Sequence, residues 1–210
     1  MAATLPDTTP SSLPTTALSP LHPTSTPPTS TFHPPTHASF PPFYTLQPNL
    51  TTRARQLDLW STHVTTYCAH HRIFRLNLSN PPLNLFSNPS IHRSLKTSDI
   101  RVVLDHMSRP ENGPRIEWIS AGAKGEQSSS CYVYWKTPAE WAEAIYGWVE
   151  ATGQKGAVLT VYELREGDAV REREWREMDE ELLRKALGVL VKRGKAQVFG
   201  QEENAGVKFF

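Results

Sequence analysis

Hydrophobic positions in the middle of this chain follow helical spacing, and they predict two helices in a first folded unit. A long amphipathic helix is predicted over residues 53–72, because apolar and aromatic side chains recur there every three or four residues. A second helix is predicted to be capped by Thr97 or Ser98 and to end before Pro110. The side chains predicted to face inward are Leu57, Trp60, Val64, Tyr67 and His71 in the first helix and Ile100, Val103, Leu104 and Met107 in the second.

Two short runs after these helices predict a pair of strands. The runs cover residues 115–119 and 131–135, and the Gly/Ser-rich stretch between them is typical of a long hairpin loop. The Pro- and Asn-rich stretch 77–89 interrupts regular structure between the two helices. Helices followed by a two-stranded wing are typical of a winged helix-turn-helix domain.

A second unit of the same plan begins with a strong helix start. Thr137 is a good N-cap, and Pro138 occupies the first helical position. Glu140 lies where the carboxylate of a capping box reaches back to the cap amide. The buried stripe predicted for this helix is Trp141, Ile145, Trp148 and Val149.

The rest of the second unit is predicted as strand, helix and hairpin. The run 158–164 predicts a short strand that leads into a short helical piece. The acidic run 179–181 suits the positive end of a helix that stops at Gly194. Residues 196–200 and 206–210 predict the closing hairpin. The side chains of the later helix that are predicted to face inward are Leu183, Ala186, Leu187, Leu190 and Val191.

Composition separates a leader from these two units. Residues 1–39 hold nine of the 18 prolines, are rich in Ser and Thr, and carry one charged residue, Asp7. Such a segment cannot bury enough apolar surface to offset its chain entropy, so it is predicted to be disordered. The predicted fold class is α+β, with two tandem winged-helix domains at residues 40–136 and 137–210.

Charge weighs against nucleic acid as the partner of these domains. Residues 53–136 hold 11 basic and 6 acidic residues, a net charge of +5, whereas residues 137–210 hold 11 basic and 14 acidic residues, a net charge of −3. The helix that starts at 179–181 would present carboxylates to the phosphate backbone. The candidate recognition helix of the first unit offers Arg101 but also Asp99 and Asp105. DNA binding therefore stays an alternative rather than the main prediction.

The sequence contains no recognisable catalytic or metal-binding motif. A metal site is suggested by His63, His70, His71 and Cys68, but His63 and His70 lie on different faces of the predicted helix. Cys68 and Cys131 are the two cysteines of the sequence and have no metal-ligand spacing, so both are predicted to be reduced thiols. Phosphate-loop, nucleophile-elbow and zinc-protease motifs are absent from the sequence. We therefore predict no enzymatic activity, no cofactor and no metal.

A proline–aromatic segment at residues 40–49 is the strongest indication of function. Pro41 and Pro42 are predicted to pre-extend the backbone, so that Phe43 and Tyr44 can enter a partner's groove at low entropic cost. Apolar runs of the roughly 20 residues needed to span a bilayer are absent, and so is a signal-peptide pattern. The chain is expected to be soluble and intracellular and to act by binding.

Five blocks of the sequence, distributed from residue 40 to the last residue, match a single known family. The blocks lie at 40–49, 138–149, 159–164, 179–187 and 206–210, and the first of them is followed by the matching residues Thr52, Arg53, Gln56, Leu57 and Trp60. In these blocks the chain resembles the small subunit of the ESCRT-II endosomal sorting complex, the vacuolar protein sorting twenty-five family. The resemblance does not extend to the leader.

The resemblance implies an assembly role without enzymatic activity. It implies tandem winged-helix domains, with two copies of this subunit joining one subunit each of the vacuolar protein sorting twenty-two and thirty-six families. By the same resemblance, Pro41, Pro42, Phe43 and Tyr44 would anchor this subunit on those partners. Tyr44 stands where the family pattern leads us to expect Phe, so its hydroxyl would need a hydrogen-bond partner or an exit to solvent. The implied location is the cytoplasm, with recruitment to the endosomal membrane through the complex.

The resemblance also implies a contact made by the second winged helix. In the family, this domain binds an ESCRT-III subunit of the vacuolar protein sorting twenty family. Carried onto this chain, the candidate contact residues are Thr160 and Tyr162, with Lys208 as a weaker candidate. The implied mechanism is scaffolding, in which two arms raise the local concentration of a filament nucleator.

An alternative function follows from the same proline–aromatic segment. Residues 41–44 match P-P-x-Y, the pattern that WW domains of ubiquitin ligases bind, so the chain could be an adaptor. A WW ligand needs to stay exposed in a disordered tail, whereas this segment runs directly into a predicted helix. The flanking sequence therefore favours the assembly role.

Overall fold

A computed structural model describes residues 31–120, 128–200 and 205–210. The disorder predicted for residues 1–30 and most of the predicted loop between the first wing strands lie outside them. The α-helices are α1 (Leu50–His70), α2 (Thr97–Ser108), α3 (Pro138–Ala151), α4 (Val161–Glu166) and α5 (Glu180–Lys192). The strands are β1 (Arg75–Asn77), β2 (Ser87–Asn88), β3 (Arg93–Ser94), β4 (Ile116–Trp118), β5 (Ser130–Val133), β6 (Val158–Thr160), β7 (Ala196–Phe199) and β8 (Gly206–Phe209).

Antiparallel pairing organises these strands into two three-stranded sheets and one short two-stranded ladder. The first sheet has the order β1-β5-β4, the second has the order β6-β8-β7, and β2 pairs with β3. The predicted strand pairs are confirmed, since Ile116 lies opposite Val133 in the first sheet and Val198 lies opposite Val207 in the second. Strand β1, which pairs along the other edge of β5, was not predicted from the sequence.

The two helices of the first unit begin at positions that differ from the predictions. Helix α1 begins three residues earlier than predicted, because the Asn49 side chain accepts a hydrogen bond from the backbone N–H of Thr52 at 3.1 Å. In α2 the predicted caps Thr97 and Ser98 are wrong, since both are already helical and the extended residue before them is Lys96. The four α2 side chains predicted to face inward are buried.

One inward-facing prediction for the first helix is wrong. His71 is exposed, because α1 ends at His70 and His71 is the C-cap. The side chains of Leu57, Trp60, Val64 and Tyr67 are buried as predicted. A helical stripe thus continues only as far as the helix that carries it.

The start of the second unit is confirmed in detail. The Thr137 side chain accepts a hydrogen bond from the Glu140 N–H at 3.2 Å, and the Glu140 carboxylate accepts one from the Thr137 N–H at 2.6 Å. Pro138 is the first helical residue. The predicted stripe of Trp141, Ile145, Trp148 and Val149 is buried. Local sequence alone specifies this helix start, because both halves of the capping box lie within four residues.

Two predictions for the second unit need correction. The strand in the run 158–164 ends at Thr160, because Thr160 and Glu163 form a second capping box that starts α4. In α5, Val191 is 43% exposed rather than buried. Leu182 is fully buried in its place, since a helix turns about 100° per residue and the buried face is centred between Leu183 and Leu190.

Strand β5 joins the two hydrophobic cores. Its Cys131 and Val133 side chains pack in the first core with Trp60, whereas Tyr132 packs in the second core with Trp141. Successive side chains of a strand point to opposite faces, so one strand can serve both cores. The predicted domain boundary at 136/137 falls just after this shared strand and stays a prediction.

Polar contacts reinforce the junction between the two units. The Tyr134 hydroxyl donates to the Glu117 carboxylate, and the Lys185 ammonium of α5 donates to the same carboxylate. Arg115 Nη1 lies 3.4 Å from Glu140 Oε2 at the start of α3. These contacts tie the first sheet and the residues that flank it to two helices of the second unit.

The end of the predicted leader packs against the first unit. Residues Thr36–Ser39 form a turn of 3-10 helix, and Ala38 is 2% exposed. The Ala38 carbonyl accepts hydrogen bonds from the Tyr44 hydroxyl and from the Asn88 side chain. The described fold therefore includes residues before Phe40, where the sequence analysis set the boundary. Asn88 lies 50 residues away in the chain, so local composition gave no sign of this contact.

Candidate protein-interaction site

The proline–aromatic segment forms a compact turn rather than an extended ligand. Pro41–Tyr44 is a 3-10 helix, in which the Phe43 N–H donates to the Phe40 carbonyl at 2.9 Å and the Thr45 N–H donates to the Pro42 carbonyl at 3.2 Å. The predicted extension of the backbone is therefore wrong. Proline fixes φ near −65°, a value that polyproline II and 3-10 helix share, and the backbone hydrogen bonds select the helical ψ.

Phe43 is part of the first hydrophobic core. It is 4% exposed, and its ring stacks on the indole of Trp60 with the centroids 4.2 Å apart and the planes inclined by 11°. The Phe43 carbonyl accepts hydrogen bonds from Trp60 Nε1 at 3.1 Å and from Gln56 Nε2 at 2.9 Å. Both the ring and the backbone of Phe43 are thus held by α1.

Tyr44 is also buried by its own chain. It is 5% exposed, and its hydroxyl donates to the Ala38 carbonyl at 3.0 Å. Burial raises the pKa of Tyr44 above its ordinary value of 10.0, so the hydroxyl stays protonated. The partner that the sequence analysis required for this hydroxyl lies within the chain. A WW ligand would need an exposed Tyr44 in polyproline II conformation, and this geometry disfavours that alternative.

The outer side of the turn consists of residues that are exposed in the described part of the chain. Pro41 and Pro42 are exposed, and Phe40 is 61% exposed. Of the four anchors predicted from the resemblance, the structure therefore places two on the surface and two in the core. The sequence reasoning did not select Phe40, although a large apolar residue directly before a rigid turn is a recognisable signal.

Gln56 is a further residue of this site that the sequence analysis missed. It is 6% exposed on α1, and its Nε2 donates to the carbonyls of Phe43 and Thr45, each at 2.9 Å. Its Oε1 accepts a hydrogen bond from the Gln47 N–H at 3.1 Å. The signal was a polar residue one turn before Trp60 on the buried stripe, where an amide can satisfy the carbonyls of a turn.

The residues that suggested metal or thiol chemistry include three that are buried inside the chain. His63 is 3% exposed, and its Nε2 lies 3.1 Å from the Leu85 carbonyl. Cys68 and Cys131 are fully buried, and burial raises the pKa of Cys68 well above its usual range and that of Cys131 to about 12. Within residues 31–120, 128–200 and 205–210, no group of three or more metal-ligating side chains is placed together.

The second candidate surface lies on the sheet β6-β8-β7. Thr160 pairs with Gly206, and Val158 pairs with Lys208, so Thr160 and Lys208 share one face of the sheet. The Thr160 hydroxyl is engaged in the α4 capping box, where it accepts from the Glu163 N–H at 3.0 Å. Tyr162 projects from the first turn of α4 and is 59% exposed. Of the three predicted contact residues, Tyr162 offers the largest free surface.

A shallow pocket adjoins Tyr162. It has a volume of about 210 Å³. Arg165 and Glu180 meet in its wall, with Arg165 Nη1 lying 3.8 Å from Glu180 Oε2. The residues that line it are Val161, Tyr162, Arg165, Glu166 and Glu180. An aromatic ring beside a mixed-charge pocket suits a helix or peptide that is apolar on one side and charged on the other.

The described helices disfavour DNA recognition. Arg101 of α2 donates from Nη1 to the Ser128 carbonyl at 2.7 Å and lies 4.3 Å from the Trp118 ring centroid. It is therefore held by its own chain. At the start of α5, Asp179 is the N-cap and Glu180 pairs with Arg184, so this end is acidic as predicted.

The fold and the site together indicate a class of protein. A rigid turn with exposed Phe40, Pro41 and Pro42 on a mixed α+β body is compatible with a protein-interaction module. Each described helix is too short or too polar to cross a membrane.

Comparisons with known proteins identify the family. The family model described as ESCRT-II complex subunit matches residues 37–179. Vacuolar protein-sorting-associated protein 25 of Xenopus laevis is 37% identical over 169 residues, which cover 80% of this chain and 92% of the relative. The same-named protein of Homo sapiens is 34% identical over the same shares of the two chains. The chain belongs to the vacuolar protein sorting twenty-five family of ESCRT-II subunits.

Solved structures agree with this assignment. The crystal structure of subunit VPS25 of the endosomal trafficking complex ESCRT-II has a TM-score of 0.72 and 30% sequence identity, and the match covers 84% of this chain and 98% of that chain. A crystal structure of ESCRT-II described as VPS22/VPS25/VPS36 contains a chain with a TM-score of 0.72 and 29% identity, covering 83% of this chain and 98% of that one. The predicted family and the predicted mixed class of helices and sheets are confirmed.

Proposed function

We propose that this chain is a non-enzymatic scaffold subunit of an ESCRT-II complex that acts in endosomal sorting. Membership of the ESCRT-II family, with a match over most of the chain, is the observation that supports this proposal best. One solved relative is described as part of a complex with VPS22 and VPS36, and we extend those two partners to this chain. The protein would reach the endosomal membrane through the complex.

The proposed architecture is a pair of winged helices used for protein contacts. Each sheet is antiparallel and three-stranded, and each is accompanied by helices that precede its last two strands. That order is typical of winged-helix domains. In the second unit the charges suit a protein partner better than DNA, because the helix that would read a base sequence has Asp179 as its N-cap and Glu180 as its first residue.

The turn at residues 40–44 is proposed to dock this subunit on the VPS22 and VPS36 family subunits. Pro41 and Pro42 contribute exposed surface. Phe43 and Tyr44 contribute rigidity, since their rings are packed on α1 and their conformation is set before binding. A preorganised turn loses little conformational entropy when it binds, which favours affinity.

The outer face of the second sheet is proposed to bind an ESCRT-III subunit of the vacuolar protein sorting twenty family. Tyr162 supplies an exposed ring in the first turn of α4, and Thr160 and Lys208 share one face of the adjoining sheet. Two copies of this subunit in one complex would each place a nucleator at the membrane.

Co-purification tests the assembly role. The full chain is co-expressed with the VPS22 and VPS36 family subunits, and the mass of the complex is measured by light scattering. We expect a complex with two copies of this chain. A chain that elutes alone would contradict the proposal. Binding of the ESCRT-III subunit is then compared between wild type and Tyr162→Ala, with Leu83→Ala in the first unit, 88% exposed, as the control for loss of an exposed apolar side chain. Equal binding by wild type and Tyr162→Ala would contradict the proposed contact.

A further inference from the structure

Residues 31–39 form a strap that lies across α1. The Phe32 ring of this strap packs among α1 side chains, with its centroid 5.1 Å from that of Tyr67 and 6.0 Å from that of His63. At the other end of the strap, Ala38 is 2% exposed, and its carbonyl accepts two side-chain hydrogen bonds. The strap is thus held mainly at two points, one half-buried ring and one short buried segment.

A cavity of about 540 Å³ lies along the strap. Phe32 and Ala38 line it from the strap, and His63, Tyr67 and His71 line it from α1 and its C-cap. The inner side of the strap is therefore not closely packed along its length. A segment that borders a cavity can move away at a lower free energy than a close-packed element of the core.

Two histidine nitrogens at the strap are buried without a hydrogen-bond partner in the described part of the chain. His63 is 3% exposed, and its Nε2 lies 3.1 Å from the Leu85 carbonyl, so Nε2 carries the proton and Nδ1 is the unpaired acceptor. On the strap, Nε2 of His37 is also unpaired, and its ring meets the edge of the Phe43 ring at a centroid distance of 4.7 Å. A buried, unpaired polar group is costly, and a buried charge is more so. The closed strap therefore favours neutral imidazoles.

The described groups around the strap provide no counter-charge for a protonated ring. No described carboxylate forms an ion pair with His37, His63 or His71. The segment 84–91, whose residues help to line the cavity, has only uncharged side chains. The titratable and charged groups around the strap are His33 and His37 of the strap, Tyr44 of the turn, His63, Tyr67, His70 and His71 of α1 and its C-cap, and Arg93 of β3, which packs against the turn.

Burial sets the direction in which these histidines respond to pH. It lowers the pKa of His63 below the ordinary value of 6.5, the Leu85 carbonyl partly opposes this effect, and a charge on His37 lowers the pKa further. Burial also lowers the pKa of His37. The closed strap consequently binds fewer protons than the open strap. Its stability is complete above the ordinary histidine pKa of about 6.5 and decreases as the pH falls below that value.

We propose that the strap is a proton-sensitive closure over the aromatic face of α1, which stays closed while His37 and His63 are neutral and opens when they take up protons. Opening uncovers the cavity and the ring of Tyr67. This device is separate from the proposed assembly role and does not depend on it.

Amide hydrogen exchange in the full chain tests the closure. The Ala38 N–H donates to the Pro35 carbonyl at 2.9 Å and reports on the strap, whereas the Ile145 N–H in α3 reports on the second core. Exchange is measured by NMR at pH 7.5 and pH 5.5, and each rate is divided by that of an unstructured peptide at the same pH. We expect the protection of Ala38 to fall about tenfold at the lower pH, because the open strap binds more protons. The protection of Ile145 should stay the same.

Histidine variants assign the response. The double variant His37→Gln with His63→Gln keeps a side-chain amide at both positions but cannot titrate, so the protection of Ala38 should be equal at the two pH values. His106→Gln is the matched control, because His106 lies on α2, where its Nε2 is 3.0 Å from Asp58 Oδ1, and it should respond like wild type. Phe32→Ala should give low protection at both pH values, because the strap then lacks its ring contact.

Three results would overturn the proposal. The first is equal protection of Ala38 at the two pH values in wild type. The second is an undiminished response in the double variant or in His37→Gln alone, a change on the half-buried strap that leaves the core intact. The third is a loss of protection at Ile145 together with Ala38, since the acid response would then be general unfolding. ESCRT-II assembly is measured separately and is not decided by these results.

Discussion

Truncation of Phe43 is expected to destabilise the isolated chain strongly. The ring is 4% exposed and lies parallel to the Trp60 indole at a centroid distance of 4.2 Å. Replacing a buried phenylalanine by alanine costs about 3–5 kcal/mol, because apolar contacts are lost and a cavity remains. That cost is a large share of the roughly 5–15 kcal/mol by which small domains are stable.

Urea denaturation, followed by tryptophan fluorescence, measures this loss as a change in the free energy of unfolding. Phe43→Leu is the milder companion variant, and it should cost about 1 kcal/mol because most of the volume is kept. Phe40→Ala is the matched control, with an expected change within about 0.5 kcal/mol, because its ring is 61% exposed. A loss below about 1 kcal/mol in Phe43→Ala would refute the reasoning and return Phe43 to the set of free partner anchors.

Three further predictions concern single side chains. The carboxylate of Glu140 accepts a hydrogen bond from the Thr137 N–H, which lowers the pKa of this carboxyl below its ordinary value in the folded chain. The stabilising contribution of this carboxylate is therefore complete above the unfolded pKa of about 4.3 and is lost as the pH falls through the lowered folded pKa. The melting temperature of Glu140→Gln should consequently lie closer to that of wild type at pH 3 than at pH 7. Cys68 and Cys131, both fully buried with raised pKa values, should not react with a thiol reagent at pH 7 until the chain is unfolded in urea; rapid labelling of the native chain would contradict their burial. Tyr44→Phe removes one buried hydrogen bond and should lower the free energy of unfolding by about 1 kcal/mol in a denaturant titration, while ESCRT-II assembly stays unchanged. An unaltered free energy of unfolding would contradict the hydrogen bond at the Tyr44 hydroxyl.

Elements with local signals could be predicted closely from the sequence. The start of α3 was predicted to the residue, because Thr137, Pro138 and Glu140 lie side by side and form the cap without help from the rest of the chain. The start of α2 was misassigned, because Thr97 and Ser98 are both good caps in isolation, yet Lys96 occupies the extended position before the helix. Capping propensity ranks the candidates but does not fix the backbone conformation of each.

Contacts between distant segments were beyond sequence reasoning. Strand β1 is three residues long and has no pattern of its own, so only its pairing with β5 defines it. The burial of Val191 was mispredicted because the neighbouring elements decide on which side of α5 the buried face is centred, and the helix period then places Val191 outside that face.

The candidate site also combines features that the sequence determined with features that only the tertiary structure decided. The sequence by itself determined that two prolines and three aromatic residues lie together ahead of a helix, and it determined the family to which that arrangement belongs. Only the tertiary structure decided which of the rings are free. Trp60 lies 17 residues after Phe43, and its indole stacks on the Phe43 ring and donates to the Phe43 carbonyl. Hydrophobicity is the same for a ring in the core and a ring on the surface, so the partner a ring finds in space decides between them.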